Sequence, residues 1–166
     1  MHNLKKQLEC NFGLIGKNRI AILGVGSQLR GDDAAGMLVA KNIQRHLKDK
    51  PKKNIKIFLG ETAPENLTGE IKKFKPTHLF IIDSAEMDKE PGEVFVFSPE
   101  KIKGVSFCTH QLPMGIMIDY LNKFIKCDVT IIGIQPKALE FDSVPSKEVA
   151  AAVKNVTKVI LEAIIS

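Results

Sequence analysis

The fold is decided by the stretch Ile20-Ala-Ile-Leu-Gly-Val-Gly-Ser-Gln-Leu-Arg-Gly-Asp-Asp-Ala-Ala-Gly36. It begins as an apolar run typical of a buried strand, breaks at Gly24 and Gly26, and then carries two adjacent carboxylates, Asp32 and Asp33. Ligands of open α/β sheets bind in the crevice beyond the carboxyl ends of the strands. The stretch therefore predicts acidic groups at such a crevice.

Two later segments bring further polar groups to the same edge. The apolar run that starts at His78 ends in Asp83, so a second carboxylate is expected at the end of a strand. The segment 107–113 adds His110, which precedes a proline suited to the first turn of a helix. Cys108 is the one further candidate ligand, although a lone cysteine after a phenylalanine is more often a small core residue.

Composition limits what these residues can belong to. At 166 residues and 44% hydrophobic, the chain is expected to form a single domain over residues 1–166. Three cysteines without a Cys-x-x-Cys pair predict neither a disulfide framework nor a zinc knuckle, and a reducing, cytoplasmic location is expected. No apolar run approaches the roughly 20 residues of a membrane-spanning helix, and the polar start is unlike a signal peptide.

The charge pattern bears on the partners. The net charge of +5 comes almost wholly from scattered lysines, with one Tyr and no Trp in the chain. Proteins that read nucleic acids usually show clustered arginines and stacking aromatics. We therefore expect a solvated lysine surface that does not bind nucleic acid. We also expect a monomer that does not insert into a membrane.

Strand-like and helix-like segments alternate along the chain. Strands are predicted over residues 19–25, 55–59, 78–83, 93–98 and 128–134. Helices are predicted over residues 4–12, from the acidic pair to 48, and over 62–74, 113–125 and 146–166, the third opened by a capping box at Thr62. This alternation predicts a three-layer α/β/α sandwich around a twisted, mostly parallel central sheet.

The three polar groups suggest a metal-binding function. Two carboxylates and one imidazole suit Zn²⁺, Ni²⁺ or a similar divalent ion and leave coordination positions open for other ligands. Each residue also has a structural interpretation. One of the paired acids could cap the following helix, Asp83 could bind loop amides, and His110 could be a loop histidine. Their common position at one edge of the sheet favours a site.

The glycines Gly24 and Gly26 resemble the start of a dinucleotide fingerprint, but the match is incomplete. The third, helix-opening glycine is missing, and no acidic residue ends the second strand, where Glu61 is the nearest acid. We therefore expect these glycines to let the backbone turn sharply and approach a substrate closely.

Four segments, 24–36, 82–85, 109–113 and 133–136, resemble in order the successive signatures of the hydrogenase maturation endopeptidases, which process the large subunit of nickel-iron hydrogenases. The resemblance spans most of the chain. It implies a twisted α/β/α, phosphorylase/hydrolase-like fold and a peptidase that removes a C-terminal extension from a nickel-loaded [NiFe]-hydrogenase large-subunit precursor.

The resemblance also implies a site. The family's metal-binding and catalytic positions match Asp33, Asp83 and His110, and the nickel is expected to arrive with the precursor, with zinc or another divalent ion as alternatives. Ser27 stands where the family usually has Asn, and Ala34 where it often has Gly. The residues expected to line the substrate cleft are Gly24, Gly26, Ser27, Gln28 and Thr62.

As a mechanism, we expect the triad to bind the ion, polarise the scissile carbonyl or activate a water, and assist proton transfer. No serine or cysteine nucleophile has a partnered base.

One alternative is a phosphoacceptor receiver domain, whose acids and lysine would be Asp32, Asp33, Asp83 and Lys137. The long loop before the acid pair argues against it. A second alternative is a nickel-sensing metallochaperone, which differs from the peptidase only in breaking no peptide bond.

Overall fold

The computed structural model of the chain describes residue 6 and residues 18–102, 105–107 and 114–165. Six strands are present in this part of the chain: β1 (Ile20–Val25), β2 (Ile55–Glu61), β3 (His78–Glu86), β4 (Val94–Phe97), β5 (Ser106–Phe107) and β6 (Asp128–Ile134). The helices between them are α1 (Ala35–Lys48), α2 (Thr68–Phe74), α3 (Met114–Asn122) and α4 (Lys147–Ile165). Short 3-10 turns lie at Gly31–Ala34, Pro64–Leu67 and Pro99–Lys101.

The strands form one mostly parallel sheet, as predicted. Its order is β2-β1-β3-β6-β4, and β1, β2, β3 and β6 run parallel. Strand β4 closes one edge antiparallel to β6, and the two-residue β5 pairs antiparallel with the end of β3. Chains that alternate strand and helix favour such sheets because each crossover helix covers a face.

Helices cover both faces of the sheet, which confirms the three-layer sandwich. Strand residues alternate between the faces, as the period of two requires. One face of buried Ile22, Phe80 and Ile132 packs against α1 and α4, which contribute Ile43 and Val156. The other face, with Leu23, Leu79 and Ile81, packs against α2 and α3 through residues that include Ile71 and Ile118.

Several boundaries differ from the prediction. Strand β3 does not end at Asp83 but continues to Glu86, because β6 and then β5 supply backbone partners beyond that point. The helix predicted over 62–74 is divided into the 3-10 turn Pro64–Leu67 and α2. Ala63 is the N-cap residue of that turn and no side chain caps it, so the capping box predicted at Thr62 is wrong.

The part of the chain that the structure describes contains no helix long and apolar enough to cross a membrane. Apart from residue 6, the predicted helix over 4–12 lies outside that part, as do Cys108 and His110.

Candidate active site

The crevice lies at the switch point of the sheet, where the strand order reverses on either side of β1. Strand β2 lies on one side of β1 and β3 lies on the other, and the helices that follow β1 and β2 cover opposite faces. Ligands of open α/β sheets bind at this switch point, beyond the carboxyl ends of the strands. The register pairs Gly24 with Ile82, so Asp83 follows directly after the last residue that β3 pairs with β1.

Helix α1 approaches the sheet very closely at Gly36. A Cβ atom at this position would lie 2.0 Å from the carbonyl oxygen of Ile82 and 2.4 Å from that of Val25. Only glycine allows this contact between a helix and two strand ends. The contact holds the turn that carries Asp33 against the ends of β1 and β3. The sequence analysis quoted Gly36 in its motif but assigned it no role.

Asp33 is fully buried in the 3-10 turn before α1. Its Oδ2 accepts a hydrogen bond of 3.0 Å from the backbone amide of Ser27. Gly26 has a φ of +132°, and a Cβ there would lie 1.8 Å from the Asp33 carbonyl oxygen. The expected sharp turn is therefore present, and it wraps the glycine loop around Asp33. Gly24 has a different role, because the space of its missing side chain is filled by Ala40 of α1.

Asp83 is also fully buried, although it lies inside β3 rather than at its end. Its Oδ1 accepts a hydrogen bond of 2.7 Å from the next amide, that of Ser84. Strand alternation places Asp83 on the face shared by Leu79 and Ile81. Two residues beyond Asp83, Ala85 pairs with Phe107 of β5, three positions before His110 in the sequence.

Two of the three predicted site residues thus converge on one crevice. Each carboxylate accepts a backbone hydrogen bond, which offsets part of the cost of its burial. Their position at the switch point, where ligands of such sheets bind, is what indicates a functional site. No three His, Cys, Asp or Glu side chains are grouped to hold a metal ion within the described ranges, and the third predicted donor, His110, lies outside them.

Asp32, the neighbour of Asp33, has a structural role. Its carboxylate accepts four hydrogen bonds: from the amides of Lys137 (2.7 Å), Ala138 (3.0 Å) and Ser146 (2.6 Å), and from the Ser146 hydroxyl (3.0 Å). Neither it nor Asp33 caps α1 through its side chain, so that interpretation of the acid pair is wrong. Asp32 instead fixes the connection between β6 and α4.

Lys137 does not serve the role that the receiver alternative gave it. Its Nζ lies 2.7 Å from Glu148 Oε1. This hydrogen bond, together with the charge of the partner, raises the pKa of Lys137 and lowers that of Glu148. The ammonium therefore pairs with Glu148, and only the backbone amide of Lys137 contacts the acid pair.

Four of the five residues expected to line the substrate cleft lie on two adjoining loops, and the fifth, Gly24, lies inside β1. The amide of Gly26 donates to the carbonyl of Glu61 at 2.9 Å, which joins the glycine loop to the end of β2. Ser27 is half-buried, whereas Gln28 and Thr62 are exposed. The Gln28 side chain accepts a 2.5 Å hydrogen bond from Lys41 Nζ.

Gln135 is a buried residue of the site region whose role the sequence did not reveal. Its Oε1 accepts from the amides of Met87 (2.8 Å) and Lys89 (3.3 Å), while its Nε2 donates to Glu86 Oε1 (2.7 Å) and to the Pro136 carbonyl (3.2 Å). A buried amide with these partners fixes the loop after β3 to the end of β6. The motif Gly133-Ile-Gln-Pro136 includes Gln135, but the sequence could not show which groups this side chain binds.

Comparison with known proteins identifies the family. The model of a protein family described as HycI, hydrogenase maturation protease, matches residues 37–163. The chain belongs to the hydrogenase maturation protease family. The resemblance drawn from the sequence motifs is therefore confirmed, and this protease is a peptidase rather than a receiver domain.

Individual proteins that are similar to this protease carry the same family name. The hydrogenase 3 maturation protease of Escherichia coli K12 is 34% identical over 136 residues, which cover 81% of this chain and 84% of that protein. A protein of Methanocaldococcus jannaschii that carries the provisional name hydrogenase maturation protease is 38% identical over 150 residues, 88% of each chain.

Solved structures of the family share the fold. The crystal structure of the [NiFe] hydrogenase maturation protease HycI from Thermococcus kodakarensis KOD1 superposes with a TM-score of 0.83 at 29% identity. The match covers 95% of this chain and 99% of that one. The expected α/β/α fold of this hydrogenase maturation protease is thus the fold of its family.

Proposed function

We propose that this protease removes the C-terminal extension of a nickel-loaded [NiFe]-hydrogenase large-subunit precursor, and that Asp33, Asp83 and His110 recognise the nickel. The observation that carries the proposal is the pair of fully buried carboxylates at one switch point, Asp33 and Asp83. The close contact at Gly36 holds the turn of Asp33 against the strand that carries Asp83. The family membership supplies the proteolytic activity.

The donor set supports nickel as the recognised ion. Imidazole nitrogen suits Ni²⁺, whereas carboxylate oxygens bind a wide range of divalent metals. In this proposal the nickel is part of the substrate, so only a precursor that carries the metal can complete the site. Cleavage would then follow metal insertion, because an empty precursor lacks the group that the triad binds.

The reaction is hydrolysis of one peptide bond. The oxygen of a water molecule forms a bond to the scissile carbonyl carbon, the C–N bond breaks, and the leaving amine takes a proton. One of the two carboxylates or His110 accepts the proton from water and delivers it to the amine. The nickel brought by the precursor acts as a Lewis acid toward the carbonyl or the water.

The two adjoining loops supply the groove for the tail of the substrate. Gly26, Ser27 and Gln28 lie on one loop, with Gly24 in the strand before it, and Thr62 lies on the other. The hydrogen bond from Gly26 to Glu61 fixes the two loops relative to each other. A fixed groove aligns an extended peptide at lower entropic cost than a mobile one.

The test is the mass of the precursor before and after incubation with the purified protease. We expect the unmutated protein to release a C-terminal peptide from the nickel-loaded precursor and to leave the nickel-free precursor intact. Asp33→Asn, Asp83→Asn and His110→Ala should each abolish cleavage, whereas Asp49→Asn, at an exposed position at the far end of α1, should not.

Other outcomes would overturn the proposal in part or in full. Cleavage by a triad variant would remove that residue from the mechanism. Equal cleavage of nickel-free precursor would contradict recognition of the metal. Tight nickel-dependent binding without any mass change would favour the metallochaperone alternative.

A further inference from the structure

Three large apolar side chains are exposed beside the crevice. They are Leu29, Phe141 and Val144, which are 59%, 72% and 85% exposed, and we call them the apolar loop patch. Leu29 lies two residues after Ser27, whose amide binds the Asp33 carboxylate. Single exposed apolar residues are common on protein surfaces, but neighbouring ones next to a functional site indicate an interaction surface.

Backbone hydrogen bonds bring the two loops of the patch together. The carbonyl of Leu29 accepts from the Asp142 amide at 2.7 Å, and the amide of Gly31 donates to the Ser143 carbonyl at 3.2 Å. Phe141 and Val144 flank Asp142 and Ser143, the two residues that make these hydrogen bonds. The patch is therefore built on a junction between two chain segments and not on a free loop end.

The junction continues into the 3-10 turn Gly31–Ala34, which carries Asp32 and Asp33. Directly after Gly31, the Asp32 amide donates to the Ala138 carbonyl at 3.1 Å, and the Asp32 carboxylate accepts the four bonds described above. Asp33 is the next residue. One network of hydrogen bonds therefore supports both the apolar loop patch and the turn that carries Asp33. This network holds the patch in a fixed position relative to the Asp33 carboxylate.

The substrate of this enzyme is itself a protein, so the surface around the crevice is necessarily a protein–protein interface. Such interfaces combine an apolar centre with a polar border. Here the exposed charged residues Arg30, Lys137 and Glu140 lie on the same two segments as the patch. A preorganised apolar surface binds a protein at lower entropic cost than a mobile one.

We propose that the apolar loop patch binds an apolar surface on the folded body of the hydrogenase large-subunit precursor, while the crevice binds its tail. The inference rests on the proposed function and extends it from the cleaved segment to the recognition of the whole substrate. The patch then determines affinity, and the buried acids determine the chemical step.

The experiment uses the double variant Phe141→Ser/Val144→Ser and the matched control Phe124→Ser. Phe124 is also 60% exposed, but it follows α3 at the opposite end of the sheet. Kd for the intact precursor and the KM and kcat of its cleavage would be measured for each. We expect a tenfold or larger rise in Kd and KM for the double variant with kcat unchanged, and no change for the control.

The outcomes separate the two proposals. If the unmutated protein binds the precursor but does not cleave it, the proposed function fails, and the Kd comparison still tests the patch. An unchanged Kd in the double variant, or an equal rise in both variants, overturns the patch. Thermal unfolding of each variant verifies that the substitutions leave the fold intact.

Discussion

Asp32 and Ser146 are joined by two hydrogen bonds, one from the Ser146 amide to Oδ1 (2.6 Å) and one from its hydroxyl to Oδ2 (3.0 Å). The same hydroxyl oxygen accepts the Val149 amide at 3.4 Å, as the N-cap of α4. One carboxylate therefore links the turn before α1 to the first turn of α4, 114 residues later in the sequence.

Replacing Asp32 tests this link. Asp32→Ala leaves four hydrogen-bond donors without their charged acceptor, so we expect the free energy of unfolding to fall by roughly 2–4 kcal/mol. Urea titration measures this change. Asp119→Ala, at an exposed position on α3, should stay within about 0.5 kcal/mol of the unmutated protein. Equal stability of the two variants would contradict the structural role of Asp32.

The contact at Gly36 is tested by adding a single methyl group. In Gly36→Ala the new Cβ would meet two backbone oxygens that cannot move freely, so we expect a loss of about 3 kcal/mol or more. Gly69→Ala in α2 is the matched control, because a Cβ there has nothing within 4 Å. Removing a helical glycine should raise the free energy of unfolding by about 0.5 kcal/mol. A tolerated Gly36→Ala would show that α1 does not need this close approach.

Lys137 offers a test that separates the backbone from the side chain. Lys137→Ala removes the exposed ion pair with Glu148 but keeps the amide that binds Asp32. We expect its thermal midpoint and its cleavage rate to match those of the unmutated protein, because exposed ion pairs contribute little. Lys137→Pro removes the amide hydrogen and should lower the midpoint clearly. A loss of activity in Lys137→Ala would implicate the ammonium in function.

Stability should depend on pH through His78 at the start of β3. Burial lowers the pKa of His78 below its usual 6.5, and the charge of Asp128 opposes this only in part. Since the unfolded chain then binds the proton more readily, the free energy of unfolding should decrease as the pH falls below about 6.5, until it reaches the lower pKa of the folded state.

The measurement is urea unfolding at a series of pH values between 7 and 5. The ring of His78 is stacked on Phe80 and its Nε2 lies 2.8 Å from Thr130 Oγ1. His78→Gln should flatten the pH profile, whereas His46→Gln, at an exposed position, should leave its slope unchanged. An identical slope in the His78 variant would assign the pH dependence to other groups.

Much of the fold was predictable from the sequence because its signals are local. The apolar run from Ile20 and the stretch Asp128–Ile134 have the composition of buried strands, and both strands are present at those positions. Ser146 precedes a long amphipathic repeat and caps the helix there. The pairing of Ser106 and Phe107 with the end of β3 could not be predicted, because two residues carry no periodic pattern.

The sequence by itself determined the alternation of strands and helices, the positions of Asp33 and Asp83 after apolar runs, and the family motifs. The family motif already matched Asp33, and not Asp32, to the predicted site. Only the tertiary structure showed what Asp32 binds, because its partners lie far away in the sequence. The roles of the two acids differ because the Asp32 carboxylate meets donors more than 100 residues away, whereas Asp33 is held at the strand ends by the contact at Gly36.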